Sequence, residues 1–240
     1  MRGASRRVAY DVKTRAAKYP ALARPLVRLR GEGVLVDRET DLLVEGFPRC
    51  ASSFAVAAFE MAQEPRSVRV AHHVHSPAHV VLAIRAGVPA LVLIRDPQGA
   101  VISNLIRHPS RTVTDVLRGY VRFYAPLWRH RSAFVVGTFH EVVNDLGTVI
   151  RRVNATFGTR FREFEHTPAN IERCFGEIEE EWTRRRGGGD RLERIVPRPS
   201  PVRDELKDEI RARFLAQAPV RLRTRAEGLY EAFVTGTSSP

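Results

Sequence analysis

One short stretch of the sequence combines an arginine, a glycine and two serines in an order that suits anion binding. Residues 42–44 form an apolar run typical of a buried strand, and Gly46 breaks it. Ser52 and Ser53 follow where a helix can begin. A loop leading into a helix directs backbone N–H groups and the positive end of the helix dipole at one point. The stretch therefore predicts a site for phosphate or sulfate, with Arg49 as its cation.

The same loop differs from a triphosphate-binding loop at one informative position. A Walker A loop reads G-x-x-x-x-G-K-[ST]; here Gly46 begins the pattern, Ala51 replaces the second glycine and Ser53 ends it. Ser52 replaces the lysine that normally reaches the β- and γ-phosphates. The loop is therefore not expected to bind the triphosphate of ATP or GTP. Taken alone, it is equally consistent with an ordinary strand–turn–helix corner.

A second predicted strand is followed by another arginine and another serine. Residues 90–94 form an apolar run, and Arg95-Asp96-Pro97 ends it. A predicted helix follows and carries Ser103. In a parallel sheet the carboxyl ends of the strands meet at one edge, and ligands bind there. Arg49 and Arg95 are therefore expected to lie on the same rim of the sheet.

The two motifs together, P-R-x-x-S-S after the first strand and R-D-P with a later serine after the second, resemble those of the sulfotransferase family. In that family the first loop holds the 5′-phosphosulfate of 3′-phosphoadenosine 5′-phosphosulfate (PAPS), and the second motif holds the 3′-phosphate. The resemblance extends over about residues 40–190. It implies PAPS contacts at Pro48, Arg49, Cys50, Ala51, Ser52, Ser53, Arg95 and Ser103.

Two residues of the first loop depart from the family's pattern, which is typically P-K/R-S-G-T-T/S. Cys50 replaces the serine and Ala51 replaces the glycine. Because alanine does not readily adopt a positive φ, either the loop has a slightly different shape or the glycine was not needed there. The departures leave room for a non-catalytic protein that binds a nucleotide or an acidic partner. A small-molecule kinase is the other alternative, although it would need a lysine at position 52 and an acid to hold Mg²⁺.

Several histidines follow a predicted strand at residues 67–71. His72, His73, His75 and His79 are close in the sequence, which allows three interpretations: a base, structural histidines or a metal site. No carboxylate or cysteine joins them locally, which argues against metal. Sulfotransferases of the cytosolic type often carry a histidine just past this strand as the general base, and an imidazole pKa of about 6.5 suits that role. The resemblance therefore implies His73 as the base, with His75 as a close alternative.

A basic, glycine-rich segment late in the chain resembles a third family motif. Sulfotransferases usually have a late R-K-G-x-x-G-D segment that closes over the 3′-phosphate. Residues 185–190 read R-R-G-G-G-D, which is similar but one residue short. The resemblance implies a cofactor lid within a basic Gly/Pro-rich loop at residues 184–203, with 3′-phosphate contacts at Arg185, Arg186 and Gly187. The alternative is a disordered basic loop.

The remaining patterns predict alternating strands and helices. We predict helices at residues 77–85, 112–131, 140–157 and 168–182, a strand at 133–139, and closing helices at 202–216 and 219–234. This order predicts an α/β fold of the three-layer P-loop NTPase type, with a central parallel sheet flanked by helices and joined by right-handed crossovers. In the helix at 112–131, Tyr120 or Tyr124 is a candidate for stacking on adenine.

Residues 1–38 are predicted to form a basic helical arm ahead of a single domain at 39–240, which ends in helices at 202–235. An apolar stripe at helical spacing indicates the helix of the arm: Val8, Val12, Ala16 and Tyr19. We predict that this helix packs on the domain and leaves a basic face in solvent. The alternative is peripheral contact with an acidic membrane surface or an acidic partner.

Composition limits the class of protein. The chain has 240 residues, 43% of them hydrophobic, which is enough for one α/β domain with a full core. No apolar run approaches the roughly 20 residues of a membrane span.

The two cysteines are too few for a disulfide framework, so we expect a cytoplasmic setting. The net charge of +12 fits nucleic acid, but no zinc-finger or RNA-recognition pattern is present, and an anionic nucleotide fits the charge equally well. We therefore do not expect a nucleic-acid partner.

The sequence thus predicts a sulfotransferase that moves a sulfuryl group from PAPS to a hydroxyl, or less readily an amine. The acceptor is a small molecule, glycan or lipid, and the product nucleotide is 3′-phosphoadenosine 5′-phosphate (PAP). Sulfuryl transfer needs in-line geometry and stabilisation of charge on the leaving oxygen. Arg49 is the expected source of that stabilisation, and a histidine is the expected proton acceptor. No metal is expected, since side chains supply the cations.

Overall fold

The computed structural model of the chain describes residues 2–17, 19, 33–187 and 201–236, with the side chains of residues 2–8, 186 and 202 left out. Within this part, four parallel strands form one sheet in the order β2-β1-β3-β4. The strands are β1 (Leu42–Gly46), β2 (Val70–His72), β3 (Ala90–Ile94) and β4 (Val135–Thr138). Leu43 of β1 pairs with Ala90 of β3, and Leu91 of β3 pairs with Val135 of β4.

The connections between the strands reverse direction at β1. Helix α2 (Ser52–Gln63) leads from β1 to β2, and helix α3 (Pro77–Arg85) leads back from β2 past β1 to β3. Right-handed crossovers that run in opposite directions place their helices on opposite faces of the sheet. The reversal leaves a crevice beyond the carboxyl ends of β1 and β3, which is where open α/β sheets bind ligands.

The other helices complete the two outer layers. They are α1 (Arg2–Ala16), α4 (Pro97–Arg107), α5 (Val113–Tyr124), α6 (Phe139–Asn144), α7 (Leu146–Phe157), α8 (Pro168–Arg186), α9 (Pro201–Gln217) and α10 (Val220–Thr235). Helix α8 packs on α2, α9 on α4, and α1 and α10 on α5. Of the helices described, none has the length and apolar character needed to cross a membrane.

The predicted α/β fold with a central parallel sheet flanked by helices is confirmed. Helix α3 and strand β3 have the predicted bounds, because Pro77 begins the helix and the run of β3 is uniformly apolar and fully buried. The strand predicted at 67–71 instead spans residues 70–72, which pair with residues 42–44 of β1. The strand predicted at 133–139 shortens to the four residues of β4.

Two predicted helices end early for local reasons. The helix predicted at 112–131 stops at Tyr124, and the chain continues as the 3₁₀ segment Ala125–Ala133, in which Pro126 cannot donate a backbone hydrogen bond. The helix predicted at 140–157 is divided at Asp145. The Asp145 carboxylate accepts a hydrogen bond from the Thr148 backbone N–H at 3.1 Å and thereby begins α7.

Both ends of the basic loop predicted at 184–203 are helical. Helix α8 extends through Arg186, and α9 begins at Pro201. Residues 188–200, which include most of the predicted lid, lie outside the described residues.

Helix α1 packs on the domain as predicted, but with a different face. Tyr10 is 8% exposed, whereas Val12, which the predicted apolar stripe placed inside, is 59% exposed. Asp11 accepts a hydrogen bond from Arg122 of α5 at 2.6 Å, and the Arg111 guanidinium lies 4.2 Å from the centre of the Tyr10 ring. The predicted apolar stripe is wrong because α1 contacts the domain through the stack of Tyr10 on Arg111 and the ion pair of Asp11 with Arg122, and not through its aliphatic residues.

The turn between β1 and α2 contains an alanine in the left-handed region. Ala51 has φ 68° and ψ 22° and precedes the first residue of α2. The sequence left two alternatives, a loop of different shape or a position that does not need glycine, and neither holds. The loop has the conformation that suits glycine, and Ala51 adopts it at a cost in free energy. A left-handed conformation costs an L-residue about 1–2 kcal/mol relative to the right-handed one.

We expect Ala51→Gly to raise the free energy of unfolding by about 0.5–1 kcal/mol, because the relief of strain exceeds the entropy that glycine loses on folding. Gly158, after α7, has the same φ of 68° and ψ of 22°, and a Cβ there meets nothing within 4 Å. Gly158→Ala is therefore a matched control and should lower the free energy by a similar amount. Chemical denaturation measures both; a destabilised Ala51→Gly variant would contradict the assigned backbone conformation.

Candidate functional site

Two tyrosines of α5 hold the ends of β1 and β3 together. The Tyr124 hydroxyl donates to the Leu93 carbonyl at 2.7 Å and accepts from the Phe47 N–H at 3.2 Å. The Tyr120 hydroxyl donates to the Arg95 carbonyl at 2.8 Å. Both side chains are fully buried, so the prediction that either ring stacks on adenine is wrong. Their hydroxyls instead position the two loops that carry the predicted anion-binding residues.

The loop after β1 approaches β3 closely and is strained. A Cβ on Gly46 would lie 2.7 Å from the Leu93 carbonyl oxygen, so only glycine fits at that position. Farther along the loop, Arg49 has a φ of 80° and Ala51 a φ of 68°. Non-glycine residues in such conformations persist only where the surroundings determine them, and they gather at functional sites.

Two arginines converge on one hydroxyl beside this loop. Arg49 donates from Nε to the Ser103 hydroxyl oxygen at 2.9 Å, and Arg203 donates from Nη2 to the same oxygen at 3.0 Å. Arg95 donates from Nη1 to the Arg49 carbonyl at 3.4 Å, and its guanidinium lies 3.9 Å from the centre of the Phe139 ring. The crevice between β1 and β3 thus gathers cations from three separate segments of the chain.

The electrostatics of this cluster favour an anion. Burial is the largest influence on Arg49 and lowers the pKa of its guanidinium well below the usual value. The positive charges of three neighbours act in the same direction: Arg203, Arg107 and Arg95. Burial, with the charges of Arg111 and Arg107, likewise lowers the pKa of His108 to about 3. A bound anion relieves this repulsion, and partial burial strengthens the attraction.

Hydrogen-bond donors also point to a ligand at the same place. The Ser52 hydroxyl and the Asn104 amide nitrogen are buried, and neither has a hydrogen-bond partner within the described part of the chain. Both residues line the cavity that opens at the loop. A buried polar group without a partner is costly, so these donors are suited to a ligand's oxygens. The first N–H groups of α2, which have no partner within the helix, add further donors.

The cavity has a volume of about 1380 Å³ and is bordered by α1, α2, α4, α8 and α9 as well as the loop. Pockets for one small ligand usually measure about 300–1,000 Å³. The cavity is therefore large enough for a nucleotide and a second ligand together.

The rings of His72, His73 and His75 are neighbours, with ring centres 4.7 Å apart for His72 and His73 and 5.7 Å apart for His73 and His75. His79 is fully buried, and its ring points into the core. The His75 ring lines the cavity, and its Nδ1 lies 2.8 Å from the Gly46 carbonyl oxygen. The His73 ring also lines the cavity; its Nε2 lies 3.1 Å from the Ser53 hydroxyl, and its Nδ1 lies 2.5 Å from Nδ1 of His72. The described residues contain no group of three or more His, Cys, Asp or Glu that could hold a metal ion.

Burial and the neighbouring histidines act on His73. Burial is the largest influence and lowers the pKa of His73 well below its usual value, and the charges of His72 and His75 lower it further. His73 is therefore neutral at pH 7. The short contact between the two Nδ1 atoms then requires that only one of them carries a proton.

The other predicted site residues fall into two groups. Pro48, Ala51, Ser53 and Arg95 line the cavity. Cys50 does not: it is fully buried, its Sγ lies 3.5 Å from the Tyr124 hydroxyl, and burial raises the pKa of the thiol to about 11. Cys50 is thus a neutral core residue rather than a nucleophile.

The described lid residues Arg185 and Gly187 make no hydrogen bond to Ser103. Arg185 lines the cavity from the last turn of α8 and pairs with Glu181 of the same helix at 2.8 Å. Gly187 ends that helix with a φ of 75°, and the side chain of Arg186 lies outside the described residues. Arg203, near the start of α9, is the second arginine beside Ser103. No local signal distinguished Arg203 from the other arginines of this basic segment.

Comparison with solved structures gives a distant likeness. No family model matches the chain, and no curated protein matches it. Among solved structures, a crystal structure of the mouse sulfotransferase SULT7A1 complexed with PAP is similar, with a TM-score of 0.39 and 12% sequence identity. The match covers 80% of this chain and 90% of that chain. So low a TM-score carries no weight for function, and the geometry of the site has to decide it.

We expect inorganic phosphate or sulfate to stabilise the folded protein through the arginine cluster. At ten times its dissociation constant, such an ion adds about 1.4 kcal/mol to the free energy of unfolding. Arg49→Met should abolish this response and leave the ion-free protein as stable as the wild type or more so, because it removes one of several repelling charges. Thermal denaturation with and without the ion measures both effects.

Arg173→Met is the control for this experiment. Arg173 is exposed and pairs with Glu64 at 2.6 Å and Glu177 at 2.9 Å, away from the cluster. The variant should keep the full response to phosphate. Equal loss of the response in both variants would mean that the ion acts on the surface charge as a whole.

Proposed function

We propose that the protein transfers a sulfuryl group from PAPS to a hydroxyl, or less readily an amine, of a small-molecule, glycan or lipid acceptor. The observation that carries this proposal is the convergence of Arg49 and Arg203 on the Ser103 hydroxyl, across the crevice between β1 and β3. PAPS is anionic at both ends; Arg49 and Arg95 come from the two motifs that the sequence singled out, and Arg203 comes from α9. The resemblance of those motifs to the sulfotransferase family supports the same donor.

Each end of the donor has candidate contacts in this arrangement. The N–H groups at the start of α2, with the hydroxyls of Ser52 and Ser53, are suited to the 5′-phosphate. Ser103, Arg203 and Arg95 are suited to the 3′-phosphate. Arg49 would contact the sulfuryl group and the oxygen that bridges it to the phosphate.

The proposed step is an in-line displacement at sulfur. The acceptor oxygen forms a bond to sulfur while the bond from sulfur to the bridging oxygen breaks, and PAP leaves with the bonding pair. Arg49 stabilises the negative charge that grows on the bridging oxygen. The proton of the acceptor hydroxyl passes to a histidine nitrogen. The cations are side chains, so the step as proposed requires no metal.

Between the two candidate bases, the geometry favours His75. Its Nδ1–H donates to the Gly46 carbonyl, which fixes the neutral tautomer and leaves the lone pair on Nε2. His73 instead contacts Ser53 through one nitrogen and His72 through the other. We therefore assign proton acceptance to His75 and place His73 as support for the Ser53 hydroxyl.

PAP should stabilise the protein, by about 2.7 kcal/mol at 100 times its dissociation constant, and ATP should stabilise it much less. Arg203→Ala should weaken PAP binding by about 1.5–3 kcal/mol, which is the usual range for a hydrogen bond to a charged group. The same variant should hardly change the binding of adenosine 5′-phosphate, which lacks the 3′-phosphate. Thermal shift and calorimetry measure these differences; equal stabilisation by ATP and PAP would count against the proposal.

The transfer reaction itself is tested at Arg49. Arg49→Ala should lower kcat by about 10²–10³, as loss of one oxyanion donor does, while PAP still binds. Arg49→Lys keeps the charge but not the forked geometry and should retain part of the activity. Release of sulfate from PAPS to water can be followed without an identified acceptor. Tight PAP binding with no turnover in the wild type would favour the non-catalytic binding protein instead.

A further inference from the structure

A buried carboxylate contacts the loop that carries His75, the base of the proposed reaction. Glu45 is the fourth residue of β1, and it is 0% exposed in a strand whose preceding residues are all apolar. Its register partner on β3 is Val92. Burying an ionised carboxylate is very costly unless hydrogen bonds compensate for the lost water. The contacts of Glu45 therefore indicate why the chain keeps it there.

Glu45 binds the backbone of the loop that carries His75. Its Oε1 accepts from the Val74 N–H at 2.8 Å, and its Oε2 accepts from the His75 N–H at 3.0 Å. The Gly46 N–H lies 3.3 Å from Oε2. One side chain thus joins the end of β1 to the loop after β2, immediately next to the carbonyl that orients the His75 ring.

His79 of α3 completes this arrangement from the other side. Its Nε2 accepts from the Val36 N–H at 2.9 Å, so its proton is on Nδ1, which lies 3.0 Å from Oε1 of Glu45. Burial alone would raise the pKa of Glu45, but the hydrogen bonds that it accepts from His79 and from the Val74 N–H hold that pKa below its usual value. Glu45 is therefore ionised at neutral pH.

The loop needs such a support because its histidines are strained. His73 has a φ of 59° and His75 a φ of 53°. Residues other than glycine keep a left-handed conformation only where neighbouring groups determine it. The two backbone N–H groups bound by Glu45 belong to Val74 and His75 and so fix the chain at and between these positions.

We infer that Glu45, oriented by His79, is a positioning residue that sets the place and proton affinity of the His75 ring. Glu45 does not line the cavity, so it acts through His75 and not on a ligand. The titratable groups that face it are His79 from α3, and His72 and His75 at and beyond the end of β2. The inference rests on the proposed reaction, because it concerns the base of that reaction.

Glu45→Gln tests the inference, because it keeps the shape but replaces one acceptor oxygen and the charge. We expect kcat to fall about 10²-fold, as for a displacement of about 1 Å, while the dissociation constant of PAP changes by less than about threefold. Loss of the negative charge should also move the acidic limb of the kcat–pH profile to lower pH, because Glu45 stabilises the protonated His75 ring. A merely structural role predicts neither the split between kcat and PAP binding nor the shift of the profile.

Gln63→Met is the matched control. Gln63 is also buried, and it joins α2 to a distant segment through two 2.9 Å hydrogen bonds with the backbone of Arg162. It lies at the opposite end of α2 from the anion-binding loop. This variant should lose stability like Glu45→Gln but keep kcat within about twofold and the pH profile unchanged. Equal losses of kcat in both variants would overturn the inference.

The ring ¹⁵N signals of His75 give a readout that does not depend on turnover. In the wild type they should report the tautomer with the proton on Nδ1, and in Glu45→Gln a mixture of tautomers. Absence of turnover and of PAP binding in the wild type would refute the proposed function. An unchanged His75 signal in Glu45→Gln would refute the positioning role separately.

His79→Leu gives a second variant in case Glu45→Gln does not fold. It removes the side-chain donor to Glu45 but leaves the two backbone contacts. We expect a smaller fall in kcat, of about tenfold, with PAP affinity retained, whereas His79→Gln, which keeps a donor and an acceptor, should restore most of the rate. Full activity in His79→Leu would contradict the inference.

Discussion

The structure depends on holding several positive charges together at the carboxyl ends of β1 and β3. Arg49 and Arg203 share the single hydroxyl of Ser103, and Arg95 contacts the Arg49 backbone. Their repulsion has to be balanced by the fold, since the strongest charged neighbours of Arg49 are other arginines. Tyr120 and Tyr124 provide that balance, because their hydroxyls form hydrogen bonds with the backbone at the ends of both strands. An anion is the one partner that turns this repulsion into stabilisation.

Strain is concentrated at the same edge of the sheet. Arg49, Ala51, His73 and His75 are the non-glycine residues with a positive φ among those described, and all four border the cavity. Each such residue costs about 1–3 kcal/mol, so the chain gives up stability to place these groups. The cost is consistent with a site that must be preorganised, because side chains that move during the reaction stabilise its charge less well. Two buried anchors, Tyr124 for the anion loop and Glu45 for the histidine loop, hold the strained residues in place.

Local sequence patterns predicted the parts of the fold that local forces determine. Strand β3 and helix α3 had the predicted bounds because a uniform apolar run and a proline at a helix start act within a few residues. The proximity of Arg49 and Arg95 was also expected, since residues that follow the ends of parallel strands share a rim. Arg203 and Glu45 were missed for a different reason. Arg203 is one of many arginines in a basic segment, and Glu45 is a single charged residue in an apolar strand. The partners of both are brought close only by tertiary packing, which a local pattern does not show.

The choice of arginine in the anion loop has a structural explanation. The lysine of a Walker A loop stands at the start of the helix, where this chain has Ser52, and it presents a single charged end. Arg49 instead stands within the loop and uses Nε to bind Ser103. Its Nη groups, which lie in the same rigid plane, are then directed by that contact and can meet two oxygens of an anion at once. Ser103 therefore orients the guanidinium, so the second motif contributes to the geometry of the first. A lysine at position 49 has no second nitrogen with which to transmit that orientation.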